Sequence, residues 1–124
     1  MKTCQSTGED KPCDDQLKNL KKILEGLPDQ EKLENQSNVF KAISDPTRLK
    51  ILYLLQEGEL CVCEINTALE KPQSTISHHL TVLKSSGFIK GRKEGVWIHY
   101  KLSNPSIIEL IKKVMEVRIV KNEI

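Results

Sequence analysis

Between Cys61 and Leu102 the apolar residues change from helical spacing to strict alternation, and no other feature narrows the possible folds as much. Ile65 and Leu69 mark a short helix over 61–70, and Glu70-Lys71-Pro72 makes a turn. Ile76, Leu80 and Leu83 then recur at i, i+4 and i+7 along a helix over 73–86. Gly87 is its natural stop. Phe88–Lys93 and Val96–Leu102 read as strands around a two-residue turn, Glu94-Gly95, with Val96, Ile98, Tyr100 and Leu102 on one face. Two short helices, a tight turn and a hairpin predict a winged helix-turn-helix in a mainly α chain.

Upstream, Leu17, Leu20, Ile23, Leu24 and Leu27 predict a helix capped by Asp14 or Asp15 and ended by Gly26 and Pro28. A second helix is expected over 29–44, with Leu33, Phe40 and Ile43 inward. Asp45 caps a third, and Pro46 suits its first position, where no amide donor is needed. Leu49, Ile51, Leu52, Leu54 and Leu55 leave that helix apolar nearly all round, so it belongs at the centre. After Asn104-Pro105 a last helix carries a broad stripe of Ile107, Ile108, Ile111, Val114 and Met115. A chain of 124 residues has little core with which to cover such a stripe. The last helix and the Leu17–Leu27 helix are therefore expected to form a two-fold dimer interface. The expected organisation is a flexible cysteine-containing tail over 1–13 and one DNA-binding domain with dimerisation helices over 14–124.

The net charge of +2 says little, but its distribution says more. Residues 71–101 hold five Lys and one Arg against one Glu, a net of +5, as a phosphate-binding face requires. The longest apolar run, Ile51–Leu55, is far too short for a membrane span, and the N-terminus has no apolar signal segment. A cytoplasmic location without membrane attachment is expected, where thiols stay reduced.

The outward face of the 73–86 helix carries Gln73, Ser74, Thr75, Ser77, His78, Thr81 and Lys84. A glutamine amide can pair with adenine, and hydroxyls bond base edges or phosphates, so these residues are the expected contacts to double-stranded operator DNA. Lys90, Arg92, Lys93 and Lys101 on the hairpin are expected at phosphates. Adjacent helical residues point about 100° apart, so His78 and His79 do not share one ion. His99 stands alone on a strand, and Trp97 is expected to pack on the wing.

Cys61 and Cys63 sit just before the first helix of the reading motif. In a regular helix they would diverge by about 200°, but in a first turn both sulfurs can converge. A helix N-terminus favours thiolate, so at least one thiol is expected below its ordinary pKa. Soft-metal sites of high affinity need three or four sulfurs, which points to Cys4 and Cys13 in the tail as further ligands. The expected inducer is a soft metal or metalloid ion: Cd(II), Pb(II), Zn(II) or As(III). The same thiols allow a rival signal, an oxidant or persulfide. A nucleophile–base pair and an acid–base carboxylate pair are both missing from the sequence, so an enzyme is not expected.

Three segments resemble the ArsR/SmtB family of winged-helix repressors: Ala42-Ile43-Ser44-Asp45-Pro46-Thr47-Arg48-Leu49-Lys50-Ile51-Leu52, Glu59-Leu60-Cys61-Val62-Cys63-Glu64-Ile65, and Gln73-Ser74-Thr75-Ile76-Ser77-His78-His79-Leu80. The resemblance runs from about Phe40 to Tyr100. It implies a homodimer that represses its own operon and leaves DNA when an inducer binds. The cysteine segment is similar to the box of the arsenic and cadmium/lead branches, which implies Cys61 and Cys63 as ligands. The cadmium/lead branch adds tail cysteines of the other subunit, as Cys4 and Cys13 would. The arsenic branch's third box cysteine is replaced here by Asn66 and Thr67, which follow Ile65. Residues 105–120 contain no His and no Asp, unlike the final helix of the nickel, cobalt and zinc branches.

Overall fold

The computed structural model describes residues 12–119; Cys4 lies outside them. The described chain forms α1 (Asp14–Glu25), α2 (Gln30–Ala42), α3 (Pro46–Leu55), β1 (Leu60–Cys61), α4 (Val62–Leu69), α5 (Gln73–Ser85), β2 (Ile89–Glu94), β3 (Trp97–Leu102) and α6 (Ser106–Val117). It divides into two compact units, one ending at Gln36 and one from Ser37 onward. Among the described residues no helix is long and apolar enough to cross a membrane.

In the first unit α1 begins after Cys13, which holds the N-cap position with extended backbone. Asp14 and Asp15 are not the caps; they fill the first helical turn, where negative charge meets the positive end of the helix dipole. Leu17, Ile23, Leu24 and Leu27 are all exposed.

The second unit holds the core. Asp45 caps α3 by accepting the Arg48 amide at 3.1 Å, and Pro46 occupies the first turn. Ile51, Leu52 and Leu55 are buried, so α3 is central as its composition predicts. Around it pack Ile65 of α4, Ile76, Leu80 and Leu83 of α5, Ile89, Tyr100 and Leu102 of the sheet, and Ile108 of α6. Glu70 ends α4 in the left-handed region at φ 54°, and Gly87 after α5 takes φ 86°, where a glycine carries no Cβ penalty. The winged helix-turn-helix is therefore present.

Three details differ from expectation. First, the sheet has three strands in the order β1-β3-β2, because Leu60 and Cys61 pair antiparallel with Tyr100 and His99. A two-residue strand has too few positions to show a period. Second, Glu94 pairs with Trp97, so the loop of the wing is Gly95-Val96 rather than Glu94-Gly95. Gly95 supplies the positive φ, 61°, at the first loop position, as a tight hairpin needs. Val96 is consequently at the tip, 87% exposed, and Trp97 is 54% exposed instead of packed on the wing. Third, Phe40 is exposed although an inward position was expected, and Leu33 of the first unit is exposed as well. In one copy of the chain α6 also leaves Leu110, Val114, Met115 and Val117 in solvent. A groove of about 440 Å³ runs between α6 and the start of α3, lined by Phe40, Ile43, Leu49, Ile111, Val114 and Met115 among others.

Candidate DNA-reading face and thiol pair

Helix α5 turns Ile76, Leu80 and Leu83 into the core, which forces its polar side chains outward. Gln73, Ser74, Thr75, His78, Thr81 and Lys84 are exposed and Ser77 is half-buried. The Thr81 hydroxyl donates to the Ser77 carbonyl at 2.9 Å, so its proton is committed to its own helix and its oxygen is left to accept. His78 and His79 point apart as helical geometry requires; their ring centroids are 5.9 Å apart. His78 faces solvent. His79 turns toward α3, its side chain 14% exposed, and accepts a hydrogen bond at Nδ1 from Arg48 Nε at 3.1 Å. This contact was missed in the sequence, although a signal exists: position 79 lies three residues after Ile76 and four before Leu83, beside the inner stripe.

On the wing, strand alternation puts Lys90 and Arg92 on one face and Lys93 on the other. Lys90 stands directly opposite Lys101. Arg92 differs from the lysines. Its guanidinium reaches Glu59 at 2.6 Å and Glu94 at 2.8 Å, and those carboxylates hold its pKa above the usual arginine value. The Arg92 charge is therefore already matched by protein carboxylates.

The thiol pair is built by the junction of β1 and α4. Cys61 ends the strand and serves as N-cap of the helix, with extended backbone, while Cys63 lies inside the first turn. That change of direction brings the two sulfurs to 2.6 Å. The Glu64 carboxylate accepts the Cys61 amide at 3.0 Å, half of a capping box that fixes the junction. Cys61 is buried at 6% exposure and Cys63 is open to solvent. Both are free thiols. Two thiolates about 2.3 Å from a tetrahedral zinc would be about 3.8 Å apart, a separation that neighbouring side chains at this junction can adopt. Among the described residues no cluster of three or more His, Cys, Asp or Glu is placed to hold a metal. Cys13 is exposed.

The expected fall in thiol pKa is reversed at Cys61. The hydrogen bond shared with Cys63 and then burial both push the Cys61 thiol up, outweighing the Glu64 amide that favours thiolate. A helix N-terminus lowers a thiol's pKa only when its amides dominate; here the neighbouring sulfur does. Alkylation at Cys61, followed by mass spectrometry across a pH series, should show a midpoint above the ordinary thiol value. A midpoint below that value would contradict the shared-proton geometry.

Comparison with known proteins bears on the same elements. Residues 45–90, from the cap of α3 to the second residue of β2, match the model of the bacterial regulatory proteins described as the arsR family. The chain is 53% identical to an HTH-type transcriptional regulator of Methanocaldococcus jannaschii, over 69% of this chain and 98% of that protein. It is 48% identical to the arsenical resistance operon repressor of Escherichia coli, covering 63% and 67% of the two chains. It is 47% identical to a cadmium resistance transcriptional regulatory protein homolog of Staphylococcus aureus, covering 62% and 64%. Among solved structures, the homodimeric winged helix-turn-helix domain of a possible ArsR-family regulator from Mycobacterium bovis superposes with a TM-score of 0.64. That match is 32% identical and covers 73% of this chain and 89% of the other.

Proposed function

We propose, for a chain that belongs to the arsR family of bacterial regulatory proteins, a homodimeric repressor that leaves its operator when Cys61 and Cys63 capture a soft metal or metalloid ion. The protein is a transcriptional regulator and not an enzyme. The observation that carries the inducer half is that the β1–α4 junction sets two free sulfurs side by side at the entrance to the helix-turn-helix. Two relatives named for cadmium and arsenical resistance support the same chemistry. Cd(II), Pb(II), Zn(II) and As(III) all accept thiolate donors. Cys4 and Cys13 are proposed as the further sulfurs.

In this reading Gln73, Ser74, Thr75 and Ser77 at the start of α5 address base edges, with His78, Thr81 and Lys84 along the helix at bases or phosphates. Lys90 and Lys93 bind phosphates, and Lys101 joins Lys90. Like charges directly opposite each other weaken a sheet, and a DNA phosphate over the Lys90–Lys101 pair offsets that cost. Arg92 contributes least of the wing cations while Glu59 and Glu94 hold it. The exposed stripes of α1 and α6 are the surfaces that a second copy covers. A soluble cytoplasmic regulator fits these elements.

Metal capture acts through the β1–α4 junction. Fixing both sulfurs on one ion constrains the residues that cap α4, and α4 is the first helix of the reading motif. The constraint reaches α5 through the turn at Lys71-Pro72. The alternative signal is redox: an oxidant that accepts two electrons would join two thiols as a disulfide and release two protons, with a tail cysteine as one partner because a Cys61–Cys63 bridge is strained by its spacing. Persulfide would act on the same thiols. The test is fluorescence anisotropy of duplex DNA from the protein's own upstream region, with reduced metal-free protein. Cd(II) should release the DNA and a chelator restore binding. Binding that ignores metals but is lost to oxidant and regained with reductant would assign the redox signal instead.

A further inference from the structure

We propose that His79 is the positioning residue of the DNA-reading helix: as a neutral imidazole it accepts the Arg48 hydrogen bond and thereby fixes how α5 is presented to DNA. The inference rests on the DNA-binding half of the proposed function and not on the thiol half.

Apart from this contact, α5 is seated on the core by Ile76, Leu80 and Leu83. Apolar burial is non-directional, so it tolerates small rolls and slides of a helix. Among the described residues the Arg48–His79 bond is the only side-chain hydrogen bond joining α5 to another element. Arg48 is itself held twice. Its amide donates to Asp45 at 3.1 Å, and its guanidinium donates to the Ala42 carbonyl at 3.3 Å. The end of α2, the start of α3 and the middle of α5 thus meet at one guanidinium. His78, the neighbour of His79, is on the outward face, so a roll of α5 moves the reading side chains directly.

The contact has a second state. A protonated imidazole has no lone pair at Nδ1, so it cannot accept from Arg48, and it sets two cations side by side. The Asp45 carboxylate lies 3.9 Å from the same nitrogen and is the partner for the charged form. The charged and titratable groups facing His79 are Asp45 and Arg48 from α3, Lys71 from the α4–α5 turn and His78 on its own helix. Burial keeps His79 below the ordinary histidine range; Asp45 opposes this, and Arg48, His78 and Lys71 add to it. A histidine with a depressed folded-state pKa contributes its stabilisation above the ordinary value and loses it as pH falls through the depressed one.

The test uses the full-length, reduced, metal-free protein and the upstream duplex, with anisotropy at about pH 8 and at descending steps to well below the ordinary histidine pKa, as far as thermal melts show the protein folded. His79→Asn places an amide oxygen near the Nδ1 position and does not titrate; His79→Leu removes the acceptor. At the higher pH the Asn variant should bind within about twofold of wild type and the Leu variant about tenfold more weakly, the size of one unsatisfied buried group. On acidification the wild type should weaken by about fivefold relative to His79→Asn, the variant that cannot protonate. Thermal melts identify any loss of fold in His79→Leu, and the Asn comparison then decides alone. A wild-type to Asn ratio that ignores pH would overturn the proposal. Failure of the wild type to bind DNA at all would overturn the DNA-binding reading, and this proposal with it.

Discussion

Replacing Cys61 and Cys63 together with serine is expected to abolish metal-triggered release while leaving DNA affinity of the reduced apoprotein within about twofold of wild type. Serine is nearly isosteric with cysteine and is a preferred N-cap residue, so the β1–α4 junction retains its geometry. The Glu64 carboxylate keeps its bond to the backbone amide at position 61, which does not depend on the side chain there. What is lost is the soft donor: a hydroxyl does not ionise at neutral pH and binds thiophilic ions poorly. The cadmium concentration for half-release should rise by at least about 100-fold, the scale expected when two of three or four sulfurs are removed. Single variants should fall between. Anisotropy of the protein–DNA complex during a cadmium titration checks this. Wild-type release by the double variant would place the inducer site elsewhere.

The second large effect is on stability. Leu83 is fully buried where α5 meets the core, and truncation to Ala leaves a void that neighbouring side chains do not fill. Such substitutions cost about 3 kcal/mol, within a range of roughly 2–5. The melting temperature should drop by about 10 °C, measured at fixed protomer concentration because dimerisation contributes to it. DNA binding well below the new melting temperature should persist. A loss under about 1 kcal/mol would mean that α5 is not seated on Leu83 as the structure has it.

The helix-turn-helix was legible because its signals are long and mutually consistent. Ile76, Leu80 and Leu83 define one face, the Lys71-Pro72 turn breaks the helices, and Gly87 stops the second one. The convergence of Cys61 and Cys63 was legible for a similar reason, since a chain entering a helix bends at that point. Features decided by a single contact were not. β1 exists because Leu60 and Cys61 find β3 across the fold, a partner that no local pattern reveals. The loop register turned on whether Gly95 comes first or second in the turn, a choice that moves the cross-strand partner of every wing residue by two positions. The rise in the Cys61 pKa came from a sulfur two residues away and not from the helix terminus that the sequence pointed to. Phe40 was expected to point inward from its apolar character alone, and in one copy of the chain it faces solvent at the rim of the α6 groove. The hold of Glu59 on Arg92 is likewise set by a residue 33 positions away in sequence.

The central claim is that the pair of sulfurs at the β1–α4 junction is the metal site. X-ray absorption at the cadmium edge tests it most directly, on reduced full-length protein loaded with one Cd(II) per protomer. The account predicts a first shell dominated by sulfur, with three or four scatterers when the tail cysteines take part, falling by two in the Cys61→Ser, Cys63→Ser variant. A first shell of nitrogen and oxygen alone, or one unchanged by that double substitution, would contradict it.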